Sequence, residues 1–176
     1  KNRKTFTRNR ERTAIDPAIR ERFAQEPFRI LVLTEHYCED SLQLVPMLWR
    51  LSDGVVDLEV RILRQHEHPD LAAHYLTLGG YPAIPVFIVL DADLEERIAL
   101  IERPRRMTAK LMGEIRRFQQ AHPELPGINR TLDHMPAETR MALKAHIAAW
   151  REGQHERWST YLFEDLLAPL QQGGER

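Results

Sequence analysis

The sequence has a single cysteine, Cys38, in 176 residues. One cysteine excludes an internal disulfide and fits a reducing compartment, so we expect a cytoplasmic protein. No stretch approaches the roughly 20 apolar residues that a membrane-spanning helix needs, and no membrane association is expected. The net charge is only −1, which leaves the chain as a whole without an electrostatic bias toward nucleic acid, and we expect no nucleic-acid partner.

Positive charge is concentrated at the N-terminus, where residues 1–12 read KNRKTFTRNRER. No apolar stretch follows it, so no secretory signal is expected. Such a segment can bind phosphate groups, or it can be a solvated, partly disordered tail; the second interpretation is favoured. We therefore interpret residues 1–12 as a basic N-terminal tail.

Hydrophobic periodicity predicts an alternation of helices and strands along the rest of the chain. Helices are predicted at 13–25, from after Cys38 to about 52, at 69–78 and at 108–120. Pro46 should bend the second of these helices, and Thr108 is the expected cap of the fourth. Strands are predicted at 28–34, 55–63, 86–90 and from 94 to about 102. The predicted fold class is α/β, a mixed sheet of about four strands flanked by helices. Residues 13–120 would form this domain, and 121–176 a linker and a C-terminal helical extension that Gly153 divides or leaves whole.

Cys38 falls where the first buried strand ends and the next helix begins. This edge of an α/β sheet binds ligands, and the positive end of the helix dipole stabilises a thiolate there. Glu39 and Asp40 oppose a second negative charge, whereas a protonated His36 would favour it. A buried, apolar cysteine is the alternative, but the charged flanking residues favour exposure.

The order of motifs resembles the thioredoxin-like superfamily, and most closely bacterial thioredoxin family proteins. The resemblance rests on HYCEDS after a strand, Pro46 eight residues beyond the cysteine, and GGYPAIPVFIVLD, and it covers about residues 14–120. It implies that Cys38 is the attacking cysteine and that Ser41 occupies the position of the resolving cysteine. Tyr37 stands where the family usually has tryptophan.

The same resemblance implies a substrate-binding surface. Ile84-Pro85 matches the cis-proline loop that lies against the active-site sulfur and presents the substrate disulfide. Tyr37, Ala83 and Ile84 would shape an apolar rim for the partner chain. The family's buried acid on the first strand is Val32 here, so the usual proton acceptor is missing, and Glu35 or His36 is a candidate substitute.

Because Ser41 cannot form a disulfide, the implied chemistry is monothiol thiol–disulfide exchange through Cys38. Ser41 Oγ and the helix amides would stabilise the thiolate. The expected partner is a protein disulfide or a low-molecular-weight thiol, and no cofactor is expected. Two alternatives stay open, a non-catalytic protein-binding module and a thiol-based redox sensor, so the sequence does not decide whether the chain is an enzyme.

Three further groups of residues have simpler explanations than a functional site. The first group is Gln65-His66-Glu67-His68 with His74, which we interpret as solvated loop histidines rather than a zinc site. Alternatively, residues 65–70 could line the path by which a substrate enters. The arginines at 103, 105, 106, 116 and 117 read as a charged surface. Trp150 and Trp158 would lie on one helix face, where they pack the extension onto the core or form a homodimer contact.

Overall fold

The computed structural model describes residues 2–171. Within them the chain forms four β-strands and seven α-helices. The strands are β1 (Phe28–Thr34), β2 (Leu58–Arg64), β3 (Val86–Leu90) and β4 (Glu96–Ile101), and the helices are α1 (Arg3–Glu11), α2 (Pro17–Phe23), α3 (Glu39–Ser52), α4 (Pro69–Ala72), α5 (Arg105–Ala121), α6 (Ala137–Glu152) and α7 (His155–Gln171). None of the described helices is both long and apolar enough to span a bilayer.

The four strands form one mixed sheet in the order β2-β1-β3-β4. β1 runs parallel to β2 and antiparallel to β3, and β4 is antiparallel to β3. The two central strands are mostly buried, as expected of continuous apolar runs that are covered on both faces. The predicted α/β class, with a four-stranded mixed sheet and helices at both ends of the chain, is confirmed.

The chain divides into two compact units. The first contains residues up to Pro104 and those from Glu156 onward, so it includes the whole sheet, α1 to α4 and nearly all of α7. The second is Arg105–His155, with α5 and α6.

Helix α7 is part of the core of the first unit. Phe163 on α7 packs edge-on against Phe23 of α2, with ring centroids 6.3 Å apart, and Phe23 packs against Phe28 of β1 at 5.0 Å. Trp158 and Leu162 are fully buried. The last helix therefore completes the hydrophobic core around the sheet.

The two tryptophans do not share a helix face, because α6 ends at Glu152 with Gly153 as its C-cap. Trp158 is buried in the first unit, whereas Trp150 packs against the apolar cluster of the second unit. The alternative of two shorter helices is the observed one. A homodimer through the extension stays a prediction.

The second unit has its own small core between α5 and α6. The segment expected to be a linker contributes to it, since Ile128 is buried there and Thr139 Oγ1 donates a hydrogen bond to the Pro126 carbonyl at 2.8 Å. Glu114 accepts hydrogen bonds from Arg117 and from His146 Nε2. Burial raises the pKa of Glu114, but these two partners outweigh it and hold the pKa below its ordinary value.

The N-terminal segment is a helix and not a solvated tail, which corrects the sequence-based expectation. Helix α1 packs along α3, with Phe6 edge-on to Trp49 at a centroid distance of 5.7 Å. Arg10 forms a bidentate ion pair with Asp53 at the end of α3. Sequence analysis missed this helix because most of its residues are basic or polar and its one buried residue is the polar Asn9.

Pro46 explains why Asn9 is buried at this position. Proline has no backbone N–H, so in a helix the carbonyl four residues earlier loses its hydrogen-bond donor. In α3 that carbonyl belongs to Leu42, and Asn9 Nδ2 donates to it at 2.8 Å. Helix α1 thus supplies from outside the hydrogen bond that the α3 proline cannot make.

Replacing Asn9 with alanine should therefore lower the free energy of unfolding by about 1–2 kcal/mol, since a partly buried carbonyl loses its donor. Urea unfolding of wild type and variant measures this difference. Thr7→Ala, an exposed change on the same helix, is the control and should stay within about 0.5 kcal/mol of wild type. Equal stabilities of the two variants would contradict the proposed role of Asn9.

Several element boundaries differ from the sequence predictions. Helix α2 begins at Pro17, where Asp16 caps the Ala18 N–H at 2.8 Å, instead of at residue 13. Helix α4 ends at Ala72 because the chain turns back and Leu76 pairs with Pro82. Strand β2 begins at Leu58 and not at 55, and α5 begins directly after Pro104, so Thr108 lies inside the helix.

Candidate active site

The sheet register brings three loops to one edge. Thr34, the last residue of β1, faces Arg64, the last residue of β2, so the residues that follow both strands meet. Leu33 faces Val86 at the start of β3, so the loop that precedes β3 reaches the same place. Cys38 lies in the segment after β1, His66 in the segment after β2, and Ile84 in the segment before β3.

Cys38 is the N-cap residue of α3 and is partly buried. Its side chain makes no capping hydrogen bond, and the first backbone N–H groups of a helix have no partner within the helix. The Sγ atom lies 3.6 Å from the Ile84 carbonyl oxygen, toward which the thiol is a weak donor. The Ile84-Pro85 peptide bond is cis, and Pro85 is buried.

Ser41 is 3% exposed, one turn into α3. Among the residues that the structure describes, its Oγ atom has no hydrogen-bond partner, so it makes no hydrogen bond to Cys38 Sγ. Ser41 therefore lies one turn from Cys38 on α3 without a hydrogen bond to its sulfur, and stabilisation of the thiolate by Ser41 stays a prediction.

The residues of the expected apolar rim differ in exposure. Tyr37 is 63% exposed beside the cysteine, and Ile84 is half-buried. Ala83 is only 2% exposed and packs in the core with Leu33, while its N–H donates to the Tyr75 carbonyl. Of the rim residues, Tyr37 and Ile84 are therefore accessible to a partner, and the Ala83 side chain is not.

Arg103 is a residue at the site that the sequence reasoning interpreted as surface charge. Its guanidinium group forms an ion pair with Asp40, in the first turn of α3. Asp40 is 7% exposed, so its carboxylate is buried beside the cysteine. The ion pair compensates the charge of a buried carboxylate two residues after the cysteine. No local spacing signals this contact, because the partners lie on separate elements.

Removing this cation should destabilise the protein. We expect Arg103→Gln to lower the free energy of unfolding by about 2–3 kcal/mol, because the buried Asp40 carboxylate loses a charged partner. Urea unfolding gives the value, and Arg105→Gln, an exposed change nearby in the sequence, should stay within about 0.5 kcal/mol of wild type. If Arg103→Gln is as stable as the control, the ion pair does not stabilise the first turn of α3.

Glu35 links the cysteine loop to the loop after β2. It is 2% exposed, and one carboxylate oxygen accepts hydrogen bonds from the His66 backbone N–H, at 3.1 Å, and from the His66 ring. Burial raises the pKa of Glu35, but the His66 hydrogen bonds, with smaller contributions from the charges of His66 and Arg64, leave it below the ordinary value. Glu35 is thus a buried carboxylate, and His66 is its partner rather than an isolated loop histidine.

The histidine-rich segment does not form a metal centre in the described part of the chain. No group of three or more His, Cys, Asp or Glu residues there has a geometry that could hold a metal ion. His66 instead contacts Glu35 through Nδ1, and Glu67 pairs with Arg64 at 3.3 Å.

Together these features define a class of protein. A mixed sheet in the order β2-β1-β3-β4, a cysteine at the start of the helix after β1, and a cis-proline before β3 facing its sulfur characterise a thioredoxin fold. The family described as Thioredoxin matches residues 1–121, well over half of the chain. The chain therefore belongs to this thioredoxin family.

Two solved structures are similar to the chain. One is a protein of unknown function, PA1234, from Pseudomonas aeruginosa, which is 19% identical with a TM-score of 0.59, covering 98% of this chain and 86% of that one. The other is an HIV epitope-scaffold, 20% identical with the same TM-score and the same coverage. At these identities both support the fold alone. No curated protein matches the sequence.

Proposed function

We propose that the chain catalyses monothiol thiol–disulfide exchange through Cys38, in a reducing compartment such as the cytoplasm. The observation that carries the proposal is the Cys38 sulfur at the N-terminus of α3, partly exposed and 3.6 Å from the Ile84 carbonyl. A sulfur in this position can become a nucleophilic thiolate, because the helix dipole and the uncapped N–H groups favour the anion.

The proposed reaction has two exchange steps. The Cys38 thiolate attacks one sulfur of a disulfide RS–SR′, forming Cys38–S–S–R and releasing R′S⁻, which takes up a proton. The thiolate of a low-molecular-weight thiol then attacks the sulfur atom of R in this mixed disulfide. The attacking thiol and R form a new disulfide, and Cys38 leaves as the thiolate. An external thiol is required because the chain has no second cysteine.

The surroundings of the sulfur assign further roles within this proposal. Tyr37 and Ile84 form the apolar rim that contacts the substrate, and the Ile84-Pro85 backbone faces the reacting sulfur. Arg103 neutralises Asp40 and is a positioning residue. Ser41 contributes no hydrogen bond to the sulfur in this geometry, so its role is secondary.

The proposal is tested with a glutathionylated peptide as the substrate and reduced glutathione as the resolving thiol. In the absence of free glutathione, we expect release of one equivalent of peptide per chain at most and a mixed disulfide on Cys38, detected by mass spectrometry. With glutathione present, release should continue over many turnovers. Peptide release no faster than the uncatalysed exchange would favour the non-catalytic binding module.

The redox sensor is the second candidate function, and the same site supports it through the single accessible cysteine. Treatment with hydrogen peroxide distinguishes it from exchange. A sensor would accumulate a sulfenic acid or a disulfide between two copies of the chain while showing no turnover of the glutathionylated peptide.

A further inference from the structure

A cavity of about 360 Å³ lies in the first unit between α1, α3 and the ends of β1 and β2. We call it the α1 cavity. Its size is at the lower end of the range of small-molecule sites, about 300–1,000 Å³. Cys38 is not among its lining residues, although His36 and Ser41, which lie close to Cys38 in the sequence, are.

The walls of the α1 cavity are largely apolar. Phe6 and Trp49 contribute their edge-on aromatic pair, and Val45 and Ile62 complete the wall from α3 and β2. Trp49 and Ile62 remain 43% and 40% exposed, so this apolar surface is open to solvent. Covering it with an apolar molecule would be favourable.

Two guanidinium groups line the same cavity, from Arg3 and Arg64. Arg3 is exposed and has no ion pair with any described residue. Arg64 is also exposed and forms an ion pair with the exposed Glu67, at 3.3 Å. At the start of α1, Asn2 Nδ2 donates to the His36 carbonyl at 2.9 Å, which holds this end of the helix over the cavity.

One carboxylate, Glu35, also lines the cavity, and it interacts electrostatically with Arg64. Glu35 has one oxygen hydrogen-bonded to His66, and its other oxygen is buried, with His36 Nδ1 at 3.8 Å. Glu35 as a whole is only 2% exposed, whereas Arg3 and Arg64 are exposed. The cavity combines an apolar wall with two accessible positive groups.

We propose that the α1 cavity binds a small carboxylate with an apolar body, of the size of a substituted benzoate. The apolar body would cover Phe6, Trp49 and Ile62, and the carboxylate would accept hydrogen bonds from Arg3 and Arg64. This site does not depend on the proposed exchange reaction at Cys38.

Titration with 4-methylbenzoate tests the proposal. Binding is monitored through the Trp49 indole N–H resonance in ¹H–¹⁵N NMR spectra. Trp49→Phe assigns the resonance. We expect a saturable shift with a Kd below about 1 mM, and binding at least about tenfold weaker in Arg3→Gln and in Arg64→Gln. Lys4→Gln removes an exposed charge on the same helix outside the cavity and should leave the Kd within about twofold of wild type.

A second pair of experiments distinguishes specific recognition of the carboxylate from nonspecific binding in an apolar cavity. The uncharged 4-methylbenzyl alcohol should bind at least about tenfold more weakly than the carboxylate. Ile62→Phe fills the space from a half-exposed position and should abolish the Trp49 shift while the spectrum stays dispersed. Equal binding of acid and alcohol, equal effects of Arg3→Gln and Lys4→Gln, or no saturable shift in wild type would each overturn the proposal.

Discussion

Replacing Trp158 with alanine is expected to lower the free energy of unfolding by about 3–5 kcal/mol, the largest stability effect that the structure indicates. Trp158 is fully buried on α7 and is the largest of the fully buried side chains. Its removal deletes apolar contacts and leaves a cavity that the rigid surroundings fill only in part. In a chain of this length the melting temperature should fall by roughly 6–20 °C.

Thermal unfolding followed by circular dichroism measures this effect. Met141→Ala is the control, because Met141 is 69% exposed on α6 and its loss should change the free energy of unfolding by less than about 0.5 kcal/mol. Trp158→Phe should fall between the two. A Trp158→Ala protein as stable as the control would mean that α7 does not belong to the core of the sheet unit.

Replacing Cys38 with serine should remove thiol–disulfide exchange completely. An alkoxide is not available at neutral pH and cannot form a mixed disulfide, so the release of peptide from its glutathione conjugate should fall to the rate of the uncatalysed reaction. Because the substitution is nearly isosteric and the Sγ atom makes only a weak hydrogen bond, we expect the free energy of unfolding to change by less than about 1 kcal/mol.

A matched control on the same helix makes this result specific. Ser52→Ala lies at the other end of α3, where the Ser52 hydroxyl donates only to the Trp49 carbonyl, and should keep the wild-type rate within about twofold. Residual turnover in Cys38→Ser above the uncatalysed rate would assign the activity to something other than this sulfur.

The sequence predicted those elements whose signal is local and strong. β1 is a continuous apolar run, and α3 has an amphipathic pattern that ends at a Ser-Asp-Gly segment; their bounds agree with the structure to within a residue or two. The position of Cys38 between them followed directly. The four-stranded mixed sheet followed from the order of the elements.

The features that sequence reasoning missed depend on contacts between distant residues. The Asp40–Arg103 ion pair and the Glu35–His66 hydrogen bonds join separate elements through the sheet register, for which spacing along the chain gives no signal. Helix α1 was not predicted because its many basic residues resemble a solvated tail. The residue that fixes its position is Asn9, whose partner, the Leu42 carbonyl, is identified only after Pro46 is placed in α3.

The rate at which iodoacetamide alkylates Cys38 tests the central claim most directly, namely that the sulfur is presented for reaction. We expect the folded chain to react at neutral pH about as fast as the chain unfolded in urea, because Cys38 is only partly buried at the start of α3. Alkylation that is about tenfold slower in the folded chain would contradict the account and make Cys38 an enclosed packing residue.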